Sequence, residues 1–103
     1  MNGGILVPGL IDAHVHLHGK GSLKDLAKWG VTTGLDMACW PVTMIESLKA
    51  ESKDGGVADY RSPGLPATAP GSPHSHMPQF PQDELVASEE DVKKFVEKRM
   101  ADS

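Results

Sequence analysis

Five histidines are the residues of this 103-residue chain whose types and spacing suggest chemistry. They fall into two clusters, the first with His14, His16 and His18 and the second with His74 and His76. His14 and His16 are two residues apart, and side chains at i and i+2 of a β-strand project to the same side. Two imidazoles in this arrangement can bind one metal ion at about 2.0–2.1 Å. The first cluster therefore predicts a pair of metal ligands.

The residues around this pair predict the strand that carries it. Residues 10–17 alternate between an apolar face and a face that bears Asp12, His14 and His16. A glycine-containing segment follows, so the pair is expected at the C-terminal end of the strand. In barrels of parallel strands, sites form at that edge.

Three segments have the form of a capping box, in which an acid follows a Ser or Thr by three residues. They predict helices that begin at Ser22, Thr43 and Ser88. The first is expected to end at Gly30 and the second to run to about Lys53. The last helix carries a single apolar stripe, formed by Val92, Phe95, Val96 and Met100.

Strands and a long loop are predicted between these helices. Residues 31–38 are β-rich and predict a second strand, and residues 57–60 predict a short third one. Residues 62–83 hold six of the eight prolines and predict an irregular Pro-rich loop. The alternation of strands and helices predicts an α/β fold with a parallel sheet and crossover helices.

Size and charge limit the classes of function. A chain of 103 residues suffices for one small domain. Its formal charge of −4 argues against nucleic acid or an anionic membrane as a partner. No signal peptide and no apolar run of about 20 residues is present, and the single Cys39 cannot form an internal disulfide. A cytoplasmic protein is therefore expected.

Longer segments around these residues resemble a known enzyme family. Residues 7–17, VPGLIDAHVHL, resemble the first barrel strand of the amidohydrolase superfamily. Residues 30–37, GVTTGLDM, are similar to the second strand of its imidazolonepropionase- and prolidase-like branch. Residues 62–71 and 88–100 resemble that branch in order and spacing. The resemblance therefore covers most of the chain.

The resemblance implies a (β/α)8 TIM barrel that binds one or two divalent ions, usually zinc. Such a protein hydrolyses amide, lactam or similar C–N bonds of a small molecule through a metal-activated water. His14 and His16 match the family's first two metal ligands. Asp12 would orient a ligand histidine, or would instead be a buried polar residue bonded to a neighbouring strand. His74 and His76 would reach the substrate from the Pro-rich loop, or would be exposed polar residues without a role.

The family's other metal and catalytic groups lie on later barrel strands, which would follow residue 103. Because a complete barrel needs about 250 residues, residues 1–103 are expected to be an N-terminal fragment with about three βα units. Such a fragment would be inactive alone and would self-associate through its open sheet edges. The alternative is a non-catalytic small α/β chain that binds metal weakly, or binds a protein partner through an exposed sheet edge.

Overall fold

The structure, a computed structural model, describes residues 3–101, so both ends of the expected fragment 1–103 lie outside the described residues. Strands and helices alternate as far as the third strand, and a long loop with two 3-10 turns then leads to the last helix. In chain order the elements are β1 (Leu10–Val15), α1 (Ser22–Lys28), β2 (Val31–Asp36), α2 (Val42–Glu51), β3 (Asp59–Arg61), the 3-10 turns Pro73–His76 and Gln82–Glu84, and α3 (Glu89–Ala101). The predicted α/β alternation is therefore confirmed.

The three strands form one parallel sheet in the order β1-β2-β3. Pairing between β1 and β2 runs from Leu10 and Val31 to Val15 and Asp36, with an irregularity before Val15. Because the strands are parallel, their C-terminal ends meet at one edge of the sheet. This arrangement is compatible with a partial βα repeat, and it brings the residue after β1 next to the end of β2.

A small hydrophobic core joins the first two helices to the sheet. Leu23 of α1 and Leu48 of α2 are completely buried and contact Cys39, Ala58 and Tyr60. These five residues contain only one aromatic side chain. The core that holds the sheet edge in place is therefore small, as expected for a chain of this length.

Much apolar surface stays exposed outside this core. The apolar side chains just before β1 and at its start are more than half exposed, namely Ile5, Leu6, Val7, Leu10 and Ile11. Trp29 is also more than half exposed. The predicted stripe of α3 is also open to solvent, since Val92, Val96 and Met100 are exposed. The radius of gyration is 16.5 Å, against about 13 Å for a compact chain of 100 residues. The protein is thus extended and leaves apolar faces uncovered.

The capping prediction is confirmed for α3 and wrong for the other two helices. The Asp91 amide donates a hydrogen bond to Ser88 Oγ (3.2 Å), and the Asp91 carboxylate in turn accepts one from the Ala87 amide (3.2 Å). In α2, Pro41 occupies the N-cap position and Thr43 already lies in the first turn. Proline restricts φ to helix-compatible values, so the helix begins before the threonine can cap it.

In α1 the cap position falls on Gly21, one residue before the predicted Ser22. Ser22 Oγ instead donates to the carbonyl of Gly19 (2.8 Å) within the preceding turn. The Gly21 amide is bound by both carboxylate oxygens of Glu51, at 2.9 and 3.0 Å. A buried side chain from the end of α2 therefore does the work that a local cap was predicted to do.

Helix capping supplies a first test of this fold. We expect Ser88→Ala to lower the free energy of unfolding by about 1 kcal/mol, since it removes the acceptor for the Asp91 amide. Thr43→Ala is the matched control, because α2 has no side-chain cap hydrogen bond and the loss should stay within about 0.5 kcal/mol. Urea unfolding of both variants measures the difference, and equal losses would contradict the cap assignment.

The remaining boundaries differ slightly from prediction. β2 ends at Asp36 instead of residue 38, and β3 spans Asp59–Arg61 instead of residues 57–60. The segment 62–83 is irregular as predicted, apart from the turn Pro73–His76 and the start of the turn at Gln82. Within residues 3–101, no helix has the length and apolar character needed to cross a membrane.

Candidate metal centre and adjoining cleft

The structure brings the imidazoles of His14 and His16 together at the C-terminal end of β1. The strand ends at Val15, and His16 is the first residue beyond it. The two Nε2 atoms are 3.3 Å apart, and the ring centroids are 5.2 Å apart with the planes inclined by 76°. The side chains therefore project to the same side, in the arrangement that the i, i+2 spacing predicts. Both residues are exposed, so the nitrogens are accessible from solvent.

The distance between the two nitrogens suits a tetrahedral metal ion. Two nitrogen ligands at about 2.0–2.1 Å from such an ion lie about 3.3–3.4 Å from each other. The observed 3.3 Å therefore matches two adjacent corners of a zinc tetrahedron. Without metal, the same separation fits a hydrogen bond in which one neutral ring donates to the other. Within residues 3–101, no group of three or more His, Cys, Asp or Glu side chains is placed to hold an ion, so this pair supplies two corners.

Asp12 forms a hydrogen bond with the main chain of His14 and not with its imidazole ring. The Asp12 Oδ1 atom accepts a hydrogen bond from the His14 amide at 3.2 Å, and Asp12 is half-buried. This contact lies at the irregular end of the β1–β2 pairing. The predicted orienting role of Asp12 stays a prediction. Asp12 would orient His14 through the hydrogen bond to its backbone amide.

Asp36, to which the sequence assigned no role, organises the sheet edge under the histidines. It is fully buried at the end of β2. Its Oδ2 accepts hydrogen bonds from the Leu17 amide (3.4 Å) and the Tyr60 hydroxyl (3.3 Å), and its Oδ1 accepts one from the Ala38 amide (3.3 Å). One carboxylate thereby ties together the chain after β1, the chain after β2 and strand β3. The Leu17 amide directly follows His16, so this network positions the second histidine.

Burial raises the pKa of two groups close to Asp36. It raises the pKa of the Tyr60 phenol far above its ordinary value of about 10, and the negative charge of Asp36 acts in the same direction. It also raises the pKa of the Cys39 thiol, although a hydrogen bond with Tyr60 partly opposes this. A thiol is nucleophilic as its thiolate. Cys39 is therefore a buried thiol whose raised pKa disfavours the thiolate.

A cleft of about 400 Å³ opens beside His16. His18 also lines it, and the Pro-rich loop contributes His74. The loop thus brings one histidine of the second cluster next to the first cluster. His76, the last residue of the same 3-10 turn, is exposed and does not line the cleft. Of the two predicted substrate contacts, only His74 lines the same cleft as His16.

Trp40 forms a fixed wall of this cleft. Its indole Nε1 donates to the carbonyl of Pro78 at 3.1 Å. Its ring meets the buried Phe80 edge to face, with centroids 5.4 Å apart and planes inclined by 72°. Both contacts come from the Pro-rich loop, so Trp40 anchors that loop above the C-terminal end of β2. The aromatic residues of this contact lie 40 positions apart, which is why no local sequence pattern indicates it.

A larger cavity of about 610 Å³ lies on the other side of Trp40. It is bordered by α2, the Pro-rich loop and α3. Glu84, in the 3-10 turn before α3, accepts hydrogen bonds from Lys98 (2.6 Å) and Arg99 (2.9 Å) of that helix. No histidine lines it. The histidine pair therefore adjoins the smaller cleft, which we take as the candidate site.

No protein-family model, no curated protein and no solved structure matches this chain in comparisons with known proteins. The geometry of the histidine pair and the sequence resemblance are therefore the observations that bear on function.

Proposed function

We propose that this chain carries the first two metal ligands of a metal-dependent hydrolase that acts on amide- or lactam-type C–N bonds of a small molecule. His14 and His16 would bind the divalent ion, and zinc is the expected metal. The observation that carries the proposal is the 3.3 Å separation of the two Nε2 atoms at the end of a parallel strand. That separation suits a tetrahedral ion, and the sequence around it resembles the amidohydrolase superfamily.

We also propose that the three strands belong to a (β/α)8 barrel. The parallel order β1-β2-β3 with helices in the crossovers supports this, since parallel strands joined by helices are the unit of such barrels. The histidine pair lies at the C-terminal edge of the sheet, where these barrels place their active sites. The uncovered apolar side chains around β1 fit a sheet that continues beyond the described strands.

The residues of this chain would divide the work at the site. When bound, the ion would lower the pKa of a water molecule and polarise the carbonyl oxygen of the substrate. His14 and His16 would bind the ion through Nε2, which would leave each Nδ1 for an orienting hydrogen bond. Asp36 holds the main chain directly after His16 in place. The adjoining cleft would receive the substrate, with His74 at its border.

Two measurements test the proposal. In a titration with Zn²⁺ followed by imidazole ¹⁵N NMR, the Nε2 signals of His14 and His16 should shift together, while those of His76 should not move. Any amide hydrolysis by the protein should stop in EDTA, return with Zn²⁺ and be absent from the His14→Ala variant. Hydrolysis that survives the chelator, or zinc shifts spread over all five histidines, would refute the proposed function.

A second candidate is a non-catalytic chain that binds a protein partner through an exposed sheet edge. It is favoured by the exposure of Ile5, Leu6 and Val7 beside β1, which forms one edge of the described sheet. Such binding needs no metal. The zinc titration therefore separates the hydrolase from this partner-binding chain, because a chain that binds its partner without metal requires no zinc shifts at the pair.

A further inference from the structure

We propose that the cleft beside His16 binds an uncharged aromatic group in preference to a charged one. The inference names the part of the substrate next to the bond that is hydrolysed, and in that respect it rests on the proposed function. It is drawn from the residues that line the cleft, their charge and the way in which they are held.

The cleft has a suitable size for one ring with a short substituent. Ligand sites in proteins usually measure about 300–1,000 Å³, and an apolar cavity of about 150 Å³ already accepts benzene. The volume of about 400 Å³ lies at the lower end of the first range. A single aromatic amide therefore fits within it, with space left for a further substituent.

While the three histidines of the lining, His16, His18 and His74, are neutral, the lining provides no partner of opposite charge for a charged ligand. Within the described part of the chain, no Asp, Glu, Lys or Arg lines the cleft. Leu17, Ala38, Met44 and Met77 contribute apolar surface instead. A carboxylate or ammonium group that entered would lose hydration without gaining an ion pair, and this is costly. An uncharged ring carries no such penalty.

The same lining favours an aromatic ring over an aliphatic chain. The Trp40 indole offers a face or edge for ring contacts, and the thioethers of Met44 and Met77 are suited to sulfur–aromatic contacts. Trp40 is held by its hydrogen bond to Pro78 and its contact with Phe80. Since this wall is already fixed, it loses little conformational freedom when a ligand binds.

The position of the cleft connects the ring to the proposed chemistry. His16 belongs both to the metal pair and to the cleft lining. A ring in the cleft would therefore lie next to the ion, with its amide or lactam substituent directed to the His14–His16 pair. Neutral aromatic amides and anilides are the substrate class that this placement indicates.

Tryptophan fluorescence can test the preference without any metal. The chain has two tryptophans, and Trp29 is 82% exposed at the end of α1, so Trp29→Phe leaves Trp40 as the only reporter. This variant is titrated in EDTA at pH 8.5 with benzamide and with benzoate, two rings of the same size. We expect saturable binding of benzamide, and binding of benzoate that is weaker by at least about tenfold.

Two methionines of equal exposure provide a matched pair of variants. Met77 lines the cleft and Met37 does not, and both side chains are 44% exposed. In the Trp29→Phe background, Met77→Lys should reverse the preference in favour of benzoate, since it adds a cation to the cleft. Met37→Lys should leave both affinities within about twofold of the parent. Circular dichroism verifies that each variant is folded.

Three results would overturn the inference: no benzamide binding, benzoate binding as tight as benzamide in the parent, or equal effects of Met77→Lys and Met37→Lys. The outcome is separable from that of the proposed function because no metal is present. If benzamide binds selectively but zinc does not shift His14 and His16, the cleft preference stands and the proposed hydrolase fails. If zinc shifts the signals of the pair but benzamide does not bind, the cleft preference fails and the proposed hydrolase stands.

Discussion

Replacing His14 with alanine is expected to lower the affinity of the protein for zinc by more than about a hundredfold. Loss of a group that merely orients a metal ligand costs about 10–100-fold in affinity, and loss of the ligand itself should cost more. The two Nε2 atoms are 3.3 Å apart and would act as a chelating pair, so one imidazole alone should keep little of the affinity. Calorimetric titration with Zn²⁺ at constant pH measures the change.

His18→Ala is the matched control for this experiment. His18 is an exposed histidine two residues beyond His16, and it belongs to the cleft lining without forming part of the close pair. Its replacement should leave zinc affinity within about threefold. If His14→Ala and His18→Ala weakened zinc equally, the ion would be bound by the whole histidine cluster and the pair would have no special place.

Asp36→Asn should lower the free energy of unfolding by about 2–3 kcal/mol, which is a large share of the stability of a small domain. The carboxylate accepts from Leu17 and Tyr60 at Oδ2 and from Ala38 at Oδ1. An amide group can accept at one of these positions only, and its NH₂ then faces an N–H or O–H donor. The variant therefore leaves a buried donor without an acceptor, and the measurement is urea unfolding.

Asp59→Asn is a fitting comparison, because it makes the same chemical change on the neighbouring strand. The Asp59 side chain is 48% exposed, and its ion pair with Arg61 (3.0 Å) is in contact with solvent. Such pairs contribute about 0–1 kcal/mol. A similar loss for the two variants would show that Asp36 is not the organising residue of the sheet edge. If it is, Asp36→Asn should also weaken zinc binding, since the Leu17 amide directly follows His16.

The proximity of the cleft to the histidine pair gives the site two separable parts. The pair is built entirely on β1 and its immediate continuation, whereas the cleft depends on Trp40, the Pro-rich loop and α2. Metal binding and aromatic-group binding are therefore expected to respond to different substitutions. His14→Ala should affect the first and Met77→Lys the second.

Features that depend on residues close together in the chain were predictable from the amino-acid sequence. The alternation over residues 10–17 predicted β1 and the shared side of His14 and His16, because the two-residue period of a strand sets the side to which each residue projects. The cap at Ser88 was predictable for the same reason, as its partner Asp91 lies one turn away. Proline density likewise indicated the irregular loop, because each proline removes a backbone donor.

Features that depend on residues far apart in the chain are apparent only in the folded protein. Ser22 was the predicted cap of α1, but in the structure the Gly21 amide at the start of this helix donates to the Glu51 carboxylate at the end of α2. Asp36 looked like an ordinary strand residue until the fold enclosed it between Leu17 and Tyr60. Such contacts leave no periodic pattern in the sequence, since the loop closures and burial that create them are properties of the packed chain.

The same reason explains why the two loop histidines were indistinguishable before the fold was known. His74 and His76 are residues of the same type, two positions apart in the same Pro-rich segment, and no local sequence rule separates them. The contacts of Trp40 with Pro78 and Phe80 set the position of the loop. With the loop held in this way, His74 lines the cleft and His76 does not. Packing across the molecule, and not the local sequence, therefore selects which histidine joins the candidate site.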